Sequence, residues 1–344
     1  MMRAGPVRDR VRELVGPAEF SRLTAAAPPE GRVFRKPLSR SSATAAEAEI
    51  AALVALASPR HCCGLVRIEF SNDIDLNTDN NRDKNNDDDG DTLVVVSALL
   101  LSHGGADLRR VLAMAGDGDS NAATAAAAAG AHPFSCRTFG SAWKLGIALG
   151  LARAVAFIHE KGWAHLDIKP SNILIRGDAA TATVRLADFG FAEPPPATGL
   201  TIRRGSPGFI APEIRTCSDA KGYDGRQADM WSVGLTIVEL FLGSKRFDET
   251  WLVHGPNKGT EDSQEIVRRT LKALRAVKDV ICPRRGDSNG NEGEGKEPHA
   301  ADADAAAWES CVQRVFRRSI VLTPAARWRA DDLVEHCGIK VVEE

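Results

Sequence analysis

Residues 165–174 read HLDIKPSNIL and residues 188–190 read DFG, and these two stretches decide the interpretation of the chain. The first follows residues 141–160, which have helical apolar spacing, and the second follows a strand-like VRLA. Phosphoryl transfer needs a carboxylate that orients the attacking hydroxyl, a cation at the transferred group, and hard oxygen ligands for Mg²⁺. The residues that supply this set are Asp167, Lys169, Asn172 and Asp188.

The two stretches resemble the catalytic loop and the metal-binding triplet of the eukaryotic protein kinase family, with Leu166 where most members have Arg. Three further family motifs follow in order: A-P-E at 211–213, D-x-W-S-x-G at 229–234 and P-x-x-R at 324–327. An isolated D-F-G is weak evidence, but this ordered series excludes a chance match. The resemblance implies an α+β, bilobal protein kinase fold, with a small antiparallel-sheet N-lobe carrying one main helix and a larger helical C-lobe.

The resemblance implies a single kinase domain over residues 1–344 with lobes of unequal size, and the change along the chain from strand-like to mainly helical patterns is consistent with this. Its parts are the N-lobe 1–101, the hinge 102–105 and the C-lobe 106–344. Three low-complexity segments cannot bury enough apolar surface to offset the entropy of ordering them, so we expect disordered insertions. These segments are 71–91, 115–133 and 284–306. A calcium loop in the first is disfavoured, because Thr78 and Lys84 stand where an EF-hand needs Gly and Glu.

The resemblance implies a role for each residue of the catalytic set. Asp167 orients the acceptor hydroxyl and takes its proton, and Lys169 stabilises the γ-phosphoryl group. Asn172 and Asp188 are expected to hold Mg²⁺. Lys169 is typical of serine/threonine-directed members, and Ser206 occupies the position of a family hydroxyl that hydrogen-bonds Asp167 and Lys169.

Five other residues are expected to have structural roles. His165 is interpreted as packing beside Phe189 rather than as an acid–base catalyst. Asp229 is expected to hold the catalytic-loop backbone by hydrogen bonds. The resemblance also implies an ion pair between Glu213 and Arg327.

Residues 33–36, VFRK, resemble the family strand whose Lys contacts the α- and β-phosphates of ATP, which makes Lys36 that residue. Its expected partner is Glu49 on the following helix, with Glu47 as the alternative.

Counting back from Lys36 places the expected glycine-rich loop at residues 14–19, LVGPAE, where only Gly16 falls on a family glycine position. Glycines allow backbone N–H groups to approach phosphate oxygens, and Pro17 removes one donor. The sequence therefore predicts weakened ATP binding, or else an incomplete N-terminus.

Composition and charge restrict the other partners. The 44 basic and 46 acidic residues give a net charge of −2, which does not favour nucleic acid. No apolar run approaches 18 residues and the N-terminus has no signal-like segment, so we expect no membrane partner and an intracellular location, in the cytoplasm, the nucleus or both. A monomer is expected.

These observations predict an ATP- and Mg²⁺-dependent kinase that phosphorylates Ser/Thr hydroxyls of protein substrates. The alternative is a pseudokinase or scaffold on the same fold, suggested by the degenerate glycine loop. A small-molecule kinase is disfavoured, because such enzymes lack the A-P-E and D-x-W-S-x-G motifs. Leu166 cannot capture a phosphate, so we expect activity without obligatory phosphorylation of Thr198 or Thr201.

Overall fold

The structure is a computed structural model that describes residues 7–25, 33–38, 43–73, 93–102, 104–116, 139–177, 182–218, 221–252, 263–282 and 300–337. The chain divides into two compact units, each of which combines helices with a three-stranded antiparallel sheet. The first unit consists of Met1–Pro59 and Cys63–His103, and the second of Arg60–Cys62 and Gly104–Glu344.

The first unit is built on a sheet with the strand order β1-β3-β2. The strands are β1 (Val33–Pro37), β2 (Leu65–Asp73) and β3 (Leu93–Ser102). Helix α3 (Ala43–Ala55) packs on β2 and β3, and it buries Ile50 and Leu53 completely or nearly so. Lys36 pairs with Leu99 in the register of β1 and β3, which fixes its place in the sheet.

Two helices precede this sheet, and they correct the expectation of a glycine-rich loop at residues 14–19. They are α1 (Val7–Val15) and α2 (Pro17–Leu23). Gly16 joins them at a φ of 83°, in the left-handed region that glycine tolerates, and Pro17 starts α2, where its missing N–H removes no helical bond. The physical reason is the helical spacing of Val7 and Val11, both buried, which places this segment against the unit's core.

The second unit is mainly helical. Its small sheet has the order β4-β5-β6, with β4 (Ala106–Asp107), β5 (Ile173–Arg176) and β6 (Thr183–Leu186). The helices are α4 (Leu108–Gly116), α5 (Ser141–Glu160), α6 (Pro212–Thr216), α7 (Gly225–Leu242), α8 (Ser244–Phe247), α9 (Ser263–Ile281), α10 (Ala300–Ser319) and α11 (Ala330–Cys337). Short 3₁₀ turns lie at Pro170–Asn172 and Pro324–Ala326, and a π-helical turn lies at Asp248–Leu252.

Helix α7 forms the centre of this unit and is buried from Ala228 to Leu240 without a break. It packs against α5 and α10. Close packing requires glycine at Gly234, because a Cβ there would lie 2.6 Å from the side chain of Ile320. A helix that is apolar nearly all round is expected to be buried, and this one is.

The three predicted insertions begin or end at different residues in the structure. Residues 71–73 belong to β2, residues 115–116 to α4, and residues 300–306 to α10. Ser71 and Asp73 extend the strand because they pair with Val95 and Leu93 through the backbone, which needs no apolar side chain. The remaining residues of these insertions lie outside the described ranges.

Helix α5 is the one helix within the described ranges that is long and apolar enough to cross a membrane by length and composition. Its apolar residues are interrupted by Lys144 and Arg153, so it contains no uninterrupted apolar run of that length. A buried core helix passes the same test, and α5 packs against α7, α10 and α11.

Candidate active site

The loop that follows α5 is held by one buried carboxylate from helix α7. Asp229 accepts hydrogen bonds from the backbone N–H of His165 at 2.7 Å and of Leu166 at 2.8 Å. Its Oδ2 atom also lies 3.0 Å from Nε2 of His159. Leu166 has a φ of 64°, which is costly for a residue with a side chain, so these bonds hold the backbone in a conformation it would otherwise leave. The predicted contact of Asp229 with the loop backbone is confirmed.

Asp167, Lys169 and Asn172 form a hydrogen-bonded group. Oδ2 of Asp167 accepts from Nζ of Lys169 at 2.7 Å and from Nδ2 of Asn172 at 3.0 Å. The Asn172 amide also donates to the main-chain oxygen of Asp167 at 2.9 Å. The other carboxylate oxygen of Asp167, Oδ1, is buried and has no hydrogen-bond partner among the described residues. The fold therefore fixes this carboxylate through one oxygen and leaves the second as an acceptor.

Asn172 and Asp188 lie at the adjoining ends of two paired strands. Asn172 directly precedes β5, Asp188 follows β6 by two residues, and Ile173 pairs with Leu186. The N–H of Ala187 donates to the main-chain oxygen of Asn172 at 3.0 Å. Asp188 has a φ of 63°, a conformation that Asp tolerates better than most residues.

This pair fits the donor set that Mg²⁺ prefers. The amide nitrogen of Asn172 is used by Asp167, so the amide oxygen is the atom left for a cation. Mg²⁺ takes one or two protein oxygens and completes its octahedron with water and phosphate. Within the described ranges there is no cluster of three or more His, Cys, Asp or Glu side chains that could hold a metal ion.

Ser206 lies against the same group. Nζ of Lys169 donates to Oγ of Ser206 at 2.5 Å, whereas the described hydrogen bonds include none between Ser206 and Asp167. The preceding Gly205 has a φ of 113°, and a Cβ there would lie 2.9 Å from the main-chain oxygen of Leu166. Glycine thus lets the Ser206 segment closely approach the loop that contains Leu166.

The expected packing of His165 beside Phe189 is confirmed. Their ring centroids are 5.0 Å apart, and both side chains are buried. His165 is also tied into the loop, because Nε2 lies 3.1 Å from the main-chain oxygen of Ala187 and Nδ1 lies 3.3 Å from the N–H of Asp167. These contacts link the HLDIKPSN stretch to the DFG stretch.

The predicted ion pair between Glu213 and Arg327 is confirmed and is bidentate. Nη1 of Arg327 contacts Oε1 of Glu213, and Nη2 donates to Oε2 at 2.8 Å. The Arg327 side chain is fully buried, and it also donates to the main-chain oxygens of Val321 and Gln227. Its guanidinium carbon lies 5.1 Å from the ring centroid of Trp231.

Apolar packing and backbone pairing hold Leu166 and the segment before Ser206 in place. Leu166 is buried, and a Cβ added to Gly225 would lie within about 3 Å of both Leu166 and Leu200. Leu200 exchanges two backbone hydrogen bonds with Tyr223, each of 2.8 Å. Burial raises the pKa of the Tyr223 hydroxyl, so it remains protonated and donates to the main-chain oxygen of Ile202 at 2.8 Å.

The remaining candidate residues lie in the first unit. Nζ of Lys36 donates to Oε1 of Glu49 at 2.6 Å, and the Glu49 side chain is only 4% exposed. The alternative partner, Glu47, instead accepts from Nε of Arg10 at 2.8 Å. The structure thus selects Glu49 as the partner of Lys36.

Comparison with known proteins identifies the fold. Residues 141–337 match the family described as Protein kinase domain. This chain belongs to the protein kinase family. The matched range contains the loop, both strand ends, Ser206 and the Glu213–Arg327 pair, and the predicted α+β protein kinase fold is confirmed.

Several curated proteins resemble parts of this chain. Serine/threonine-protein kinase ULK3 of Xenopus laevis is 44% identical over 98 residues, which is 28% of this chain and 20% of that protein. Mitogen-activated protein kinase kinase kinase 1 of Arabidopsis thaliana is 40% identical over 87 residues, 25% of this chain and 14% of that protein. CBL-interacting protein kinase 4 of Oryza sativa subsp. japonica is 32% identical over 138 residues, 39% of this chain and 29% of that protein. The chain therefore spans less than a third of the length of each.

Three residues with structural contacts were missed by sequence reasoning. His159 contacts Asp229, Tyr223 pairs with the segment before Ser206, and Arg10 contacts Glu47. A signal existed only for Tyr223, which is the single Tyr of the chain. The other two contacts join residues 70 and 37 positions apart, and no local pattern marks them.

Proposed function

We propose that the chain is a protein serine/threonine kinase that transfers the γ-phosphoryl group of ATP to Ser/Thr hydroxyls of protein substrates. The observation that carries this proposal is the arrangement of Asp167, with Oδ2 held by Lys169 and Asn172 and Oδ1 left without a partner. A buried carboxylate oxygen without a hydrogen bond is costly to a fold, and its position beside Lys169 and Asn172, within the matched protein kinase domain, supports a role as proton acceptor.

In this proposal, Oδ1 of Asp167 accepts the hydrogen bond of the acceptor hydroxyl and then its proton. The hydroxyl oxygen forms a bond to the γ-phosphorus as the bond to the bridging oxygen breaks, and ADP leaves. Lys169 already spans Asp167 and Ser206, and its ammonium group offsets negative charge on the transferred group. Ser206 and Lys169 together orient the acceptor side chain.

We assign Asn172 and Asp188 to Mg²⁺, which supplies charge neutralisation at the phosphate oxygens when it is bound. In the first unit we assign Lys36 to the α- and β-phosphates of ATP. The 2.6 Å contact with Glu49 supports this assignment, because it holds the ammonium group in one orientation. The near-neutral charge of −2 supports a protein partner rather than nucleic acid, and we further propose a monomer that acts inside the cell, in the cytoplasm, the nucleus or both.

The test is Asp167→Asn in the full chain, measured with radiolabelled ATP and a degenerate peptide library. Loss of the general base should lower turnover by about 10²- to 10⁴-fold. Binding of Mg-ATP, followed as a thermal shift, should change little, because Asn keeps the shape of the side chain. Asp279→Asn is the matched control, since Asp279 is exposed on α9 and lies outside the catalytic group.

Undiminished transfer by the Asp167→Asn protein would refute the role of this residue. Label on Tyr, or on small molecules alone, would refute the assigned substrate class. Binding of Mg-ATP without any transfer by the unchanged protein would establish the pseudokinase alternative, which the serine/threonine kinase relatives do not favour.

A further inference from the structure

We propose that Arg10 is a positioning residue, through which helix α1 holds helix α3 in the rotation that brings Glu49 to Lys36. This inference rests on the proposed function, since it concerns the residue assigned to the ATP phosphates. It gives a role to a segment that none of the kinase motifs covers.

Helix α1 contacts α3 by both charge and apolar packing. Nε of Arg10 donates to Oε1 of Glu47 at 2.8 Å, with side chains that are 32% and 20% exposed. Val7 and Val11 lie one helical turn apart and are buried, and α1 packs on both α3 and β3. Helix α1 is therefore anchored to the sheet as well as to α3.

Glu47 and Glu49 lie on opposite faces of α3. Residues that are two positions apart in an α-helix are separated by about 200° around the helix axis. Lys36 binds the face that carries Glu49, and Arg10 binds the face that carries Glu47. The two ion pairs thus restrain rotation of α3 from both sides.

Apolar packing alone specifies this rotation weakly. Helix α3 reads ATAAEAEIAALVA, and seven of its 13 residues are Ala. Small side chains interlock less than large ones do, so several rotations of such a helix bury similar apolar area. Ile50 and Leu53 direct one side inward, and the charged pairs select one rotation among those that remain.

The expected effect of reversing the charge of Arg10 follows from the partial exposure of the Arg10–Glu47 pair. A partly exposed ion pair contributes modestly, and a carboxylate opposite Glu47 adds repulsion. We therefore expect Arg10→Glu to lower kcat/KM for ATP by about 3- to 10-fold. The loss should appear mainly in KM for ATP, because Lys36, which would lose its Glu49 partner when α3 turns, is assigned to nucleotide binding.

The experiment compares Arg10→Glu, Glu47→Arg and the double variant that exchanges the two charges. Arg12→Glu is the matched control, because it makes the same charge change at an exposed position of α1. Both single variants should lose efficiency, the exchanged pair should return to within about 2-fold of the unchanged protein, and the control should stay there too. An exchanged pair that remains as impaired as the single variants would overturn the proposal, as would an equal loss in Arg12→Glu.

Hydrogen exchange of the α3 amides separates this proposal from the proposed function. Arg10→Glu should speed exchange across α3, and the exchanged pair should restore protection, whether or not phosphate is transferred. If the unchanged protein transfers no phosphate, the proposed function fails and this measurement still decides the role of Arg10. If the α3 amides exchanged at the same rate in all four variants as in the unchanged protein, the proposed role of Arg10 would be overturned.

Discussion

Replacement of Arg327 by Met should destabilise the second unit strongly. The guanidinium group is fully buried and donates to both oxygens of Glu213 and to the main-chain oxygens of Val321 and Gln227. Met fills a similar length but donates no hydrogen bond, so Glu213 would keep a charge with no partner while its side chain is only 15% exposed.

The expected loss is about 3–5 kcal/mol in the free energy of unfolding, the range for breaking one side of a buried ion pair. Most of that cost comes from the carboxylate left behind rather than from the pair itself. The double variant Arg327→Met with Glu213→Leu should therefore be more stable than the single variant, because neither charge remains buried.

Urea unfolding of the full chain, followed by tryptophan fluorescence, measures this difference. Arg329→Met is the control, because Arg329 is exposed two residues away, and its effect should stay within about 0.5 kcal/mol. A loss below about 1 kcal/mol for Arg327→Met, or a double variant less stable than the single one, would refute the reasoning.

Two further predictions concern regulation and pH. The double variant Thr198→Ala, Thr201→Ala should transfer phosphate within about 2-fold of the unchanged protein, because Leu166 is apolar and cannot bind a phosphate group on either Thr. Abolished activity in a folded double variant would contradict this. Burial raises the pKa of the Glu239 carboxyl above the ordinary value for Glu, against the opposing hydrogen bond from Ser244. The folded protein therefore binds the Glu239 proton more tightly than the unfolded chain does. The stability that this proton contributes is complete below about pH 4.5 and is lost as the pH rises through the pKa of Glu239 in the folded protein. Glu239→Gln should accordingly raise the urea midpoint of unfolding more at about pH 8 than at about pH 5. An equal increase at both pH values would contradict the idea that the buried charge of Glu239 destabilises the fold.

The hydrogen-bonded group assigned to catalysis could be predicted from the sequence because its members are close in the chain. Asp167, Lys169 and Asn172 lie within six residues, so their contacts follow from one loop conformation. Helix α5 was also predicted with its observed bounds, since its apolar spacing runs without interruption from Ser141 to Glu160.

The N-terminal segment could not be predicted in the same way. Counting back from Lys36 assumed the family's order of strands, whereas the spacing of Val7 and Val11 favours a helix. The choice between Glu47 and Glu49 also needed the fold, because both lie on α3 and the partner of Glu47 is 37 residues upstream. Only the assembled unit brings Arg10 to that face.

The burial of helix α7 limits how the second unit can be shortened. A helix with no face for water cannot persist alone, since its apolar side chains would associate with any similar surface they met. Helix α10 covers part of α7, so removing α10 would expose apolar side chains at the centre of the second unit. Self-association of such a shortened chain would be the direct result of how deeply its central helix is enclosed.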